Sequence, residues 1–389
     1  MAPTTAEEEL LRDALGLATT VVVSMRMREP FGGGSVAGFD VETPEGTLTY
    51  FVDTSGRRVM RETGLATGSP DHPQDRVWMH PADPHLPALA AAAFGHSSGA
   101  LLARLGLRGQ GPPSIVAYRP GRRAVLRVPV DGADMWVKVV PPSRVERIAG
   151  MHRDLSSAGI PVPAVRAWSE EGLLVLEQAS GTSVQGALGD PDRTLDPPAL
   201  LDEIDVLRAR FAGVPLAHRA RTDSDRRRSW YAERLRAVLG DDDLKTAERV
   251  VESAARAPDP LGAPRSIHGD LHFGQLFVDA RGGLCAVIDV DTAGTGYAVD
   301  DSAAFVAHAV ASALLTPSPQ DARVWELSRE SFMRWDAASD APALRARAAT
   351  HLLGHALGAA EAGNPDHAGH LLRVARAVAE GDADGLAPA

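Results

Sequence analysis

The sequence predicts an α+β fold: a small β-rich segment, an antiparallel sheet with one principal helix, and a larger helical half. Three observations carry that reading. Runs of β-formers separated by glycine and proline turns recur through the first half of the 389 residues. A clear helical period interrupts them near residue 150, and from residue 181 onward helical stretches dominate. The length suffices for two or three units with their own cores. The predicted divisions are 1–85, a β-rich cap and linker; 86–180, a sheet-bearing N-terminal lobe; and 181–389, a helical C-terminal lobe.

The first region opens with a helix-like stretch near Ala6–Leu17, followed by strands at Thr19–Met27, Ser35–Val41 and Thr47–Asp53. Gly32-Gly33-Gly34 and Pro44-Glu45-Gly46 supply the turns. The glycine triplet has neither the Gly-Lys-Ser/Thr ending of a phosphate loop nor the spacing of a dinucleotide fingerprint, so it reads as a flexible turn. Gly68–His85, rich in proline, histidine and aspartate, reads as a linker. The second region starts with an alanine-rich helix, Leu86–Leu105. A meander follows at Ser114–Tyr118, Ala124–Val130 and Met135–Val140, then a helix at Ser143–Ser157 and strands at Val162–Trp168 and Leu173–Gln178. The third region holds helices at Leu200–Phe211, Arg226–Leu239, Asp301–Leu315, Arg323–Ala338, Ala343–Leu357 and His367–Ala379, with two β-like runs, Leu276–Asp279 and Leu284–Asp289.

Composition excludes several classes. A net charge of −11 argues against nucleic acid as a partner, because phosphate backbones call for a dominant basic face. The single cysteine, Cys285, rules out an internal disulfide and reads as a small buried thiol. Met1–Leu10 carries three glutamates and no basic start, unlike a signal peptide. No apolar run approaches the ~20 residues of a membrane span, so no membrane contact is expected and the expected compartment is the cytoplasm. The oligomeric state is left open.

The most specific segment is His268-Gly269-Asp270-Leu271-His272-Phe273-Gly274-Gln275. Asp270 is followed five residues later by the amide Gln275; a short hairpin turning at Gly282-Gly283 then leads to Asp289. Such an arrangement gathers Asp270, Gln275 and Asp289 around one point. Phosphoryl transfer needs a carboxylate to orient the attacking hydroxyl and hard oxygen ligands to hold magnesium against nucleotide phosphates.

This segment resembles the His-Gly-Asp-Leu-His-x-Gly-Asn loop of aminoglycoside phosphotransferases, which share the protein-kinase-like fold with choline kinase and maltokinase. Ile288-Asp289 resembles that family's Ile-Asp dipeptide, and Gly296 through Ala303 resembles Gly-Asp-x-x-x-Asp-Leu-Ala, with Asp301 matching the aspartate that braces the catalytic loop and Tyr297 standing in place of the first aspartate. The resemblance implies a two-lobed fold that binds ATP, with GTP as the alternative, and Mg2+ in the cleft between lobes. It implies transfer of the γ-phosphoryl group to an alcohol of a small molecule such as a sugar, aminosugar or antibiotic. Asp270 would orient the acceptor hydroxyl and accept its proton; Asp289 and Gln275 would hold the metal, Gln275 standing one methylene longer than the usual asparagine. Lys138, in the strand Met135–Val140, would contact the α/β phosphates, ion-paired to Glu146 on the following helix. Arg122, in the hairpin Tyr118–Arg123, would add charge at the position of the glycine-rich loop. Backbone groups near Gln178 and Ala179 would bind the base. His268 and His272 would fix the loop through backbone carbonyls. The β-rich cap resembles the segment that precedes the lobes in maltokinase-like proteins.

Acceptor choice is less legible. Asp223, Asp225, Asp300 and Glu361 could bind a cationic aminoglycoside, although acids are plentiful and an ordinary surface role is the stronger reading. Tyr297 and Trp335 could stack on a sugar, core packing being the stronger reading, and Arg226-Arg227-Arg228 reads as a solvated helix face. Two other functions stay open: a kinase of a peptide or protein hydroxyl, and a nucleotide-binding regulatory pseudokinase.

Overall fold

The structure, a computed structural model, describes residues 5–222, 224–338 and 340–387. It forms two compact units, Met1–Gly150 with Ala164–Gln178 and Met151–Pro163 with Ala179–Ala389.

In the first unit, helix α1 (Ala6–Leu15) is capped by the Thr5 hydroxyl, which accepts from Glu8 N, and closes on left-handed Gly16. Strands β1 (Val23–Phe31), β2 (Gly34–Thr43), β3 (Gly46–Asp53), β4 (Leu65–Ser69) and β5 (His72–Met79) form an antiparallel sheet in the order β1-β2-β3-β5-β4. Strand alternation sets Ala37, Phe39, Val41, Val52 and Val77 against Leu11 of α1. Phe31, Val36, Phe51 and Trp78 make a second cluster. The stretch expected to be a linker is therefore largely strand: Arg76-Val77-Trp78-Met79 pairs with β3, and the polar residues before it had masked that pattern.

The expected alanine-rich helix is two short ones, α2 (Leu89–Ala93) and α3 (Gly95–Arg104), because Phe94 between them is extended at ψ 126°. Strands β6 (Ser114–Arg119), β7 (Arg123–Val130), β8 (Ala133–Val139), β9 (Val165–Ser169) and β10 (Leu173–Glu177) then make a second five-stranded sheet in the order β6-β7-β8-β10-β9. Helix α4 (Pro142–Ser157) lies between β8 and β9 in sequence. Leu86, Leu89 and Leu102 cover one face of the sheet through Leu126, Val128 and Val137, and α4 packs Val145, Ile148 and Ala149 against Val140 and Leu174. The two sheets meet at the tip of the β6–β7 hairpin. There the buried Asp83 accepts from Gly121 N at 2.8 Å and from the Tyr118 hydroxyl at 2.9 Å. Gly121 has φ +67°, and a Cβ there would lie 2.6 Å from the Phe31 ring, so no other residue fits unstrained.

The second unit holds β11 (Thr182–Ser183), α5 (Val184–Gly189), α6 (Pro197–Ala212), α7 (Ser224–Val238), α8 (Asp241–Ala255) and β12 (Arg265–Ile267). There follow β13 (Leu276–Val278), β14 (Leu284–Val287), β15 (Gly294–Gly296), α9 (Ala298–Leu315), α10 (Asp321–Asp336), α11 (Ala341–Glu361) and α12 (Pro365–Glu380). Strands pair as β11-β13-β14 and β12-β15. Helices α5 and α8 were not anticipated. Asp241-Asp242-Asp243 looks like a loop, yet three acids suit the first turn of a helix, where they meet the positive end of the dipole. Helix α9 is, among the described residues, the one helix long and apolar enough to cross a membrane by length and composition, and 72% of it is buried inside the protein. It starts with the buried acids Asp300 and Asp301, which marks a core helix.

Candidate active site

Strand β12 leads directly into the loop from His268 to Gln275. Gly269 has φ +81°, and a Cβ there would stand 2.5 Å from Thr292 O, so the loop's tight turn requires glycine. Asp301, buried at the start of α9, accepts from His268 N at 2.9 Å and Gly269 N at 2.7 Å. Burial pushes its carboxyl above the usual range against the pull of His268, Arg208 and those two amides. This is the bracing expected of Asp301.

The loop is also tied to the segment that carries Asp289. His268 Nε2 lies 3.0 Å from Ile288 O, Thr292 Oγ1 donates to His268 O at 3.0 Å, and Ile288 N donates to Gln275 O at 2.9 Å. These bonds bring the backbones of Asp270, Gln275 and Asp289 together within one unit. Asp289 adopts φ 59°, ψ 41°, the one positive φ of a non-glycine residue among the described residues. Gln275 is only 4% exposed, and its Oε1 is buried with no hydrogen-bond partner. Leaving an amide oxygen so costs about 1–3 kcal/mol, which a cation would offset. No three His, Cys, Asp or Glu side chains converge as a metal cage among the described residues. Magnesium typically takes one or two protein oxygens and completes its shell with phosphates and water, so the pair Asp289 and Gln275 fits that ion.

Burial alone would raise Asp270. The contact with His308, whose Nε2 lies 3.7 Å from Asp270 Oδ1, and the charges of His272 and His268 outweigh it and hold the carboxyl below the usual range. His272 does not bond a backbone carbonyl as expected; its ring stacks on His308, with centroids 4.6 Å apart. His351 and His355 on α11 meet His308 at 6.3 and 4.8 Å. Burial first, then the charge of His308, pulls His272 and His355 down to about 4 and His351 to about 3. Imidazoles that titrate near 6.5 in the unfolded chain take up protons there first. Their contribution to stability is thus intact above about pH 6.5 and declines as pH falls toward 4. Thermal melts should give a lower midpoint at pH 5.0 than at pH 7.5, and His355→Gln should narrow the gap; an unchanged gap would place the acid sensitivity elsewhere. His308, His351 and His355 had drawn no notice in the sequence, where the only signal is the four-residue spacing of the last two.

The remaining expected residues stand in the first unit, apart from Ala179. Lys138 is buried at 6% exposure and pairs in register with Leu174, so it lies on the face that α4 covers. Glu146 is exposed and forms no ion pair among the described residues, so the expected brace is not present. Helical phase is the reason: Val145, Ile148 and Ala149 turn inward, which rotates position 146 outward. Arg122 donates from Nη2 to Pro30 O at 2.6 Å and lies 5.5 Å over the Phe31 ring. Gln178 and Ala179 follow β10 where the chain passes between the units, and neither makes a backbone hydrogen bond among the described residues. Cys285 is half-buried rather than buried, donating to Ser180 O at 3.2 Å, and burial raises its thiol.

Of the acids considered for a cationic acceptor, Asp223 lies outside the described residues. Asp225 pairs with Arg228 at 2.9 Å, Asp300 with Arg347 at 2.6 Å, and Glu361 with Arg234 Nε at 2.8 Å. Trp335 belongs to the core, its Nε1 donating to Asp205 at 3.0 Å, and Tyr297 packs against the same core.

Residues 119–335, more than half of the chain, match the model of the APH family, described as "Phosphotransferase enzyme family". No curated protein matches the sequence. Among solved structures, a thermostable mutant of aminoglycoside phosphotransferase APH(4)-Ia is 17% identical, with 72% of this chain and 97% of that one covered and a TM-score of 0.51. A further variant of it, in ternary complex with AMP-PNP and hygromycin B, gives 17% identity, coverage of 72% and 96%, and a TM-score of 0.51. A macrolide 2'-phosphotransferase type I is 20% identical over 72% of this chain and 95% of that one, with a TM-score of 0.46. At these identities the likeness to APH(4)-Ia is one of fold, the protein-kinase-like fold that the loop implied. The family match begins at residue 119, so the first sheet, expected to be a maltokinase-like cap, lies outside it.

Proposed function

Since the chain belongs to the phosphotransferase enzyme family, we propose that it moves the γ-phosphoryl group of ATP to a hydroxyl of a small molecule. The observation that carries this reading is the buried, partnerless Oε1 of Gln275 on backbone tied to that of Asp289. Asp289 and Gln275 would hold magnesium, which supplies charge neutralisation at the nucleotide phosphates. Asp270 would orient the acceptor hydroxyl and take its proton; because the carboxyl is held ionised, positioning outweighs basicity in its role. Lys138 would meet the α/β phosphates and Arg122 would add positive charge at the hairpin tip. Gln178 and Ala179 would offer backbone groups to the base. The solved aminoglycoside phosphotransferase with AMP-PNP and hygromycin B is a precedent for both ligands.

A titration with ATP tests the metal role. Magnesium should tighten ATP binding to the wild type, and Gln275→Met, which keeps the length and removes the amide oxygen, should weaken magnesium-dependent binding about tenfold, the size of one lost charge-assisted contact. Equal magnesium dependence in the two proteins would remove Gln275 from the metal site.

A further inference from the structure

Three elements of the second unit converge on Asp270 with groups that phosphoryl transfer does not use. His272 comes from the loop itself, His308 from α9, and His351 and His355 from successive turns of α11. His308 is the hub, stacked on His272, in edge contact with His355 and 3.7 Å from Asp270. Tyr231 of α7 joins them because α11 carries glycine at 354: a Cβ there would stand 2.7 Å from Tyr231 Cζ and 2.8 Å from its hydroxyl. The phenol therefore lies against α11 at Gly354, one residue before His355.

Core histidines normally satisfy their ring nitrogens. Here His272, His351 and His355 make no side-chain hydrogen bond among the described residues, while Asp270 and His308 are 38% and 26% exposed. The group is thus an open wall with unspent donors and acceptors. Its charge is equally telling. The three depressed imidazoles are neutral at pH 7; the carboxylates acting on the cluster are Asp270 and Asp289, and the cationic groups are Arg227 and the histidines His308, His268 and His367. The acids of α7, α9 and α11 considered above are paired with arginines. An ammonium offers only donors and seeks carboxylates, whereas a hydroxyl both donates and accepts, as a neutral imidazole does.

We propose that His272, His308, His351, His355 and Tyr231 form the acceptor subsite, and that it takes an uncharged, hydroxyl-rich ring, a neutral sugar or glycoside, in preference to a polycationic aminoglycoside. The inference rests on the phosphotransferase reading. Within it His308 is a positioning residue, setting Asp270, and His355 a specificity residue.

The test is steady-state ADP release by the full chain with ATP and magnesium, using glucose, maltose and trehalose against kanamycin and neomycin. The best neutral sugar should exceed both aminoglycosides in kcat/KM by about tenfold or more, the scale of one mismatched polar contact. His355→Ala should raise the acceptor KM about tenfold without a matching change in the KM for ATP. His355→Gln, which keeps a donor and an acceptor, should recover most of the loss. Gly354→Ala, which displaces the Tyr231 phenol, should raise the acceptor KM in the same way. Preference for an aminoglycoside, or an acceptor KM indifferent to both His355→Ala and Gly354→Ala, overturns the subsite. ATP binding and slow ATP hydrolysis without transfer to any of the five overturns the subsite and leaves the phosphotransferase reading standing. Absence of ATP binding overturns both.

Discussion

Replacing Asp289 with asparagine is expected to lower kcat by about a thousandfold or more while leaving the thermal midpoint close to that of the wild type. The two halves of that expectation have separate causes. Asp289 sits at φ 59°, ψ 41°, a left-handed conformation that aspartate and asparagine tolerate and most residues do not. Asparagine therefore keeps the backbone and the bonds around it, including Ile288 N to Gln275 O. What it loses is the negative charge. A magnesium ion is a hard cation that prefers carboxylate oxygen, and its neutralisation of phosphate charge is worth several kcal/mol, with about 1.4 kcal/mol per decade of rate. Asp289→Ala separates the effects from the other side, adding about 1–2 kcal/mol of backbone strain to the same loss of metal. Kinetics and thermal melts of both variants check this. Retention of more than about a tenth of the wild-type kcat by Asp289→Asn would mean that the metal is held elsewhere.

The sequence was most readable where backbone and function coincide. The segment from His268 to Gln275 needs glycine at 269 for its turn and aspartate at 301 for its brace, and both stand where the chemistry predicts them. Strands β7 and β8 were legible because alternation survives in Ala124–Val130 and Met135–Val140. Strand β5 was not, since only its last residues are apolar and its hairpin partner β4 is exposed throughout, with no apolar alternation to mark it. Glu146 shows a different failure. Its distance along the chain suits a lysine partner, yet the inward phase of Val145, Ile148 and Ala149 already turned it outward, so counting helical phase would have corrected it. Gln275 was a weakness in sequence, one methylene too long; in the fold its Oε1 is buried and partnerless, which fits a ligand and weighs against a degenerate site. The histidine wall could not be read, because His308 and His355 approach Asp270 only through the packing of α9 and α11.

Asp270→Asn is expected to reduce kcat by about a thousandfold with little change in ATP affinity, and its pH profile is the sharper part of the prediction. Asparagine keeps the size of the side chain and one oxygen for the acceptor hydroxyl, but it cannot take a proton and cannot favour the hydroxyl orientation that a charged oxygen imposes. General-base and positioning roles of this kind contribute about 10²–10⁴ in rate. The carboxyl of Asp270 is held below the ordinary range because the His308 contact and the neighbouring histidines outweigh burial. A depressed carboxylate is ionised at every pH above its folded value, so wild-type kcat should show no loss from Asp270 between pH 5 and 8. His308→Ala removes the strongest of those opposing contacts and leaves burial less opposed, which raises the Asp270 carboxyl toward the assay range. In that variant kcat should decline on the acid side at a higher pH than in the wild type. Both profiles can be recorded with saturating ATP and acceptor. An acid limb that stays in place in His308→Ala would show that Asp270 owes its ionisation to something other than His308, and an Asp270→Asn enzyme with near wild-type turnover would remove Asp270 from the reaction altogether.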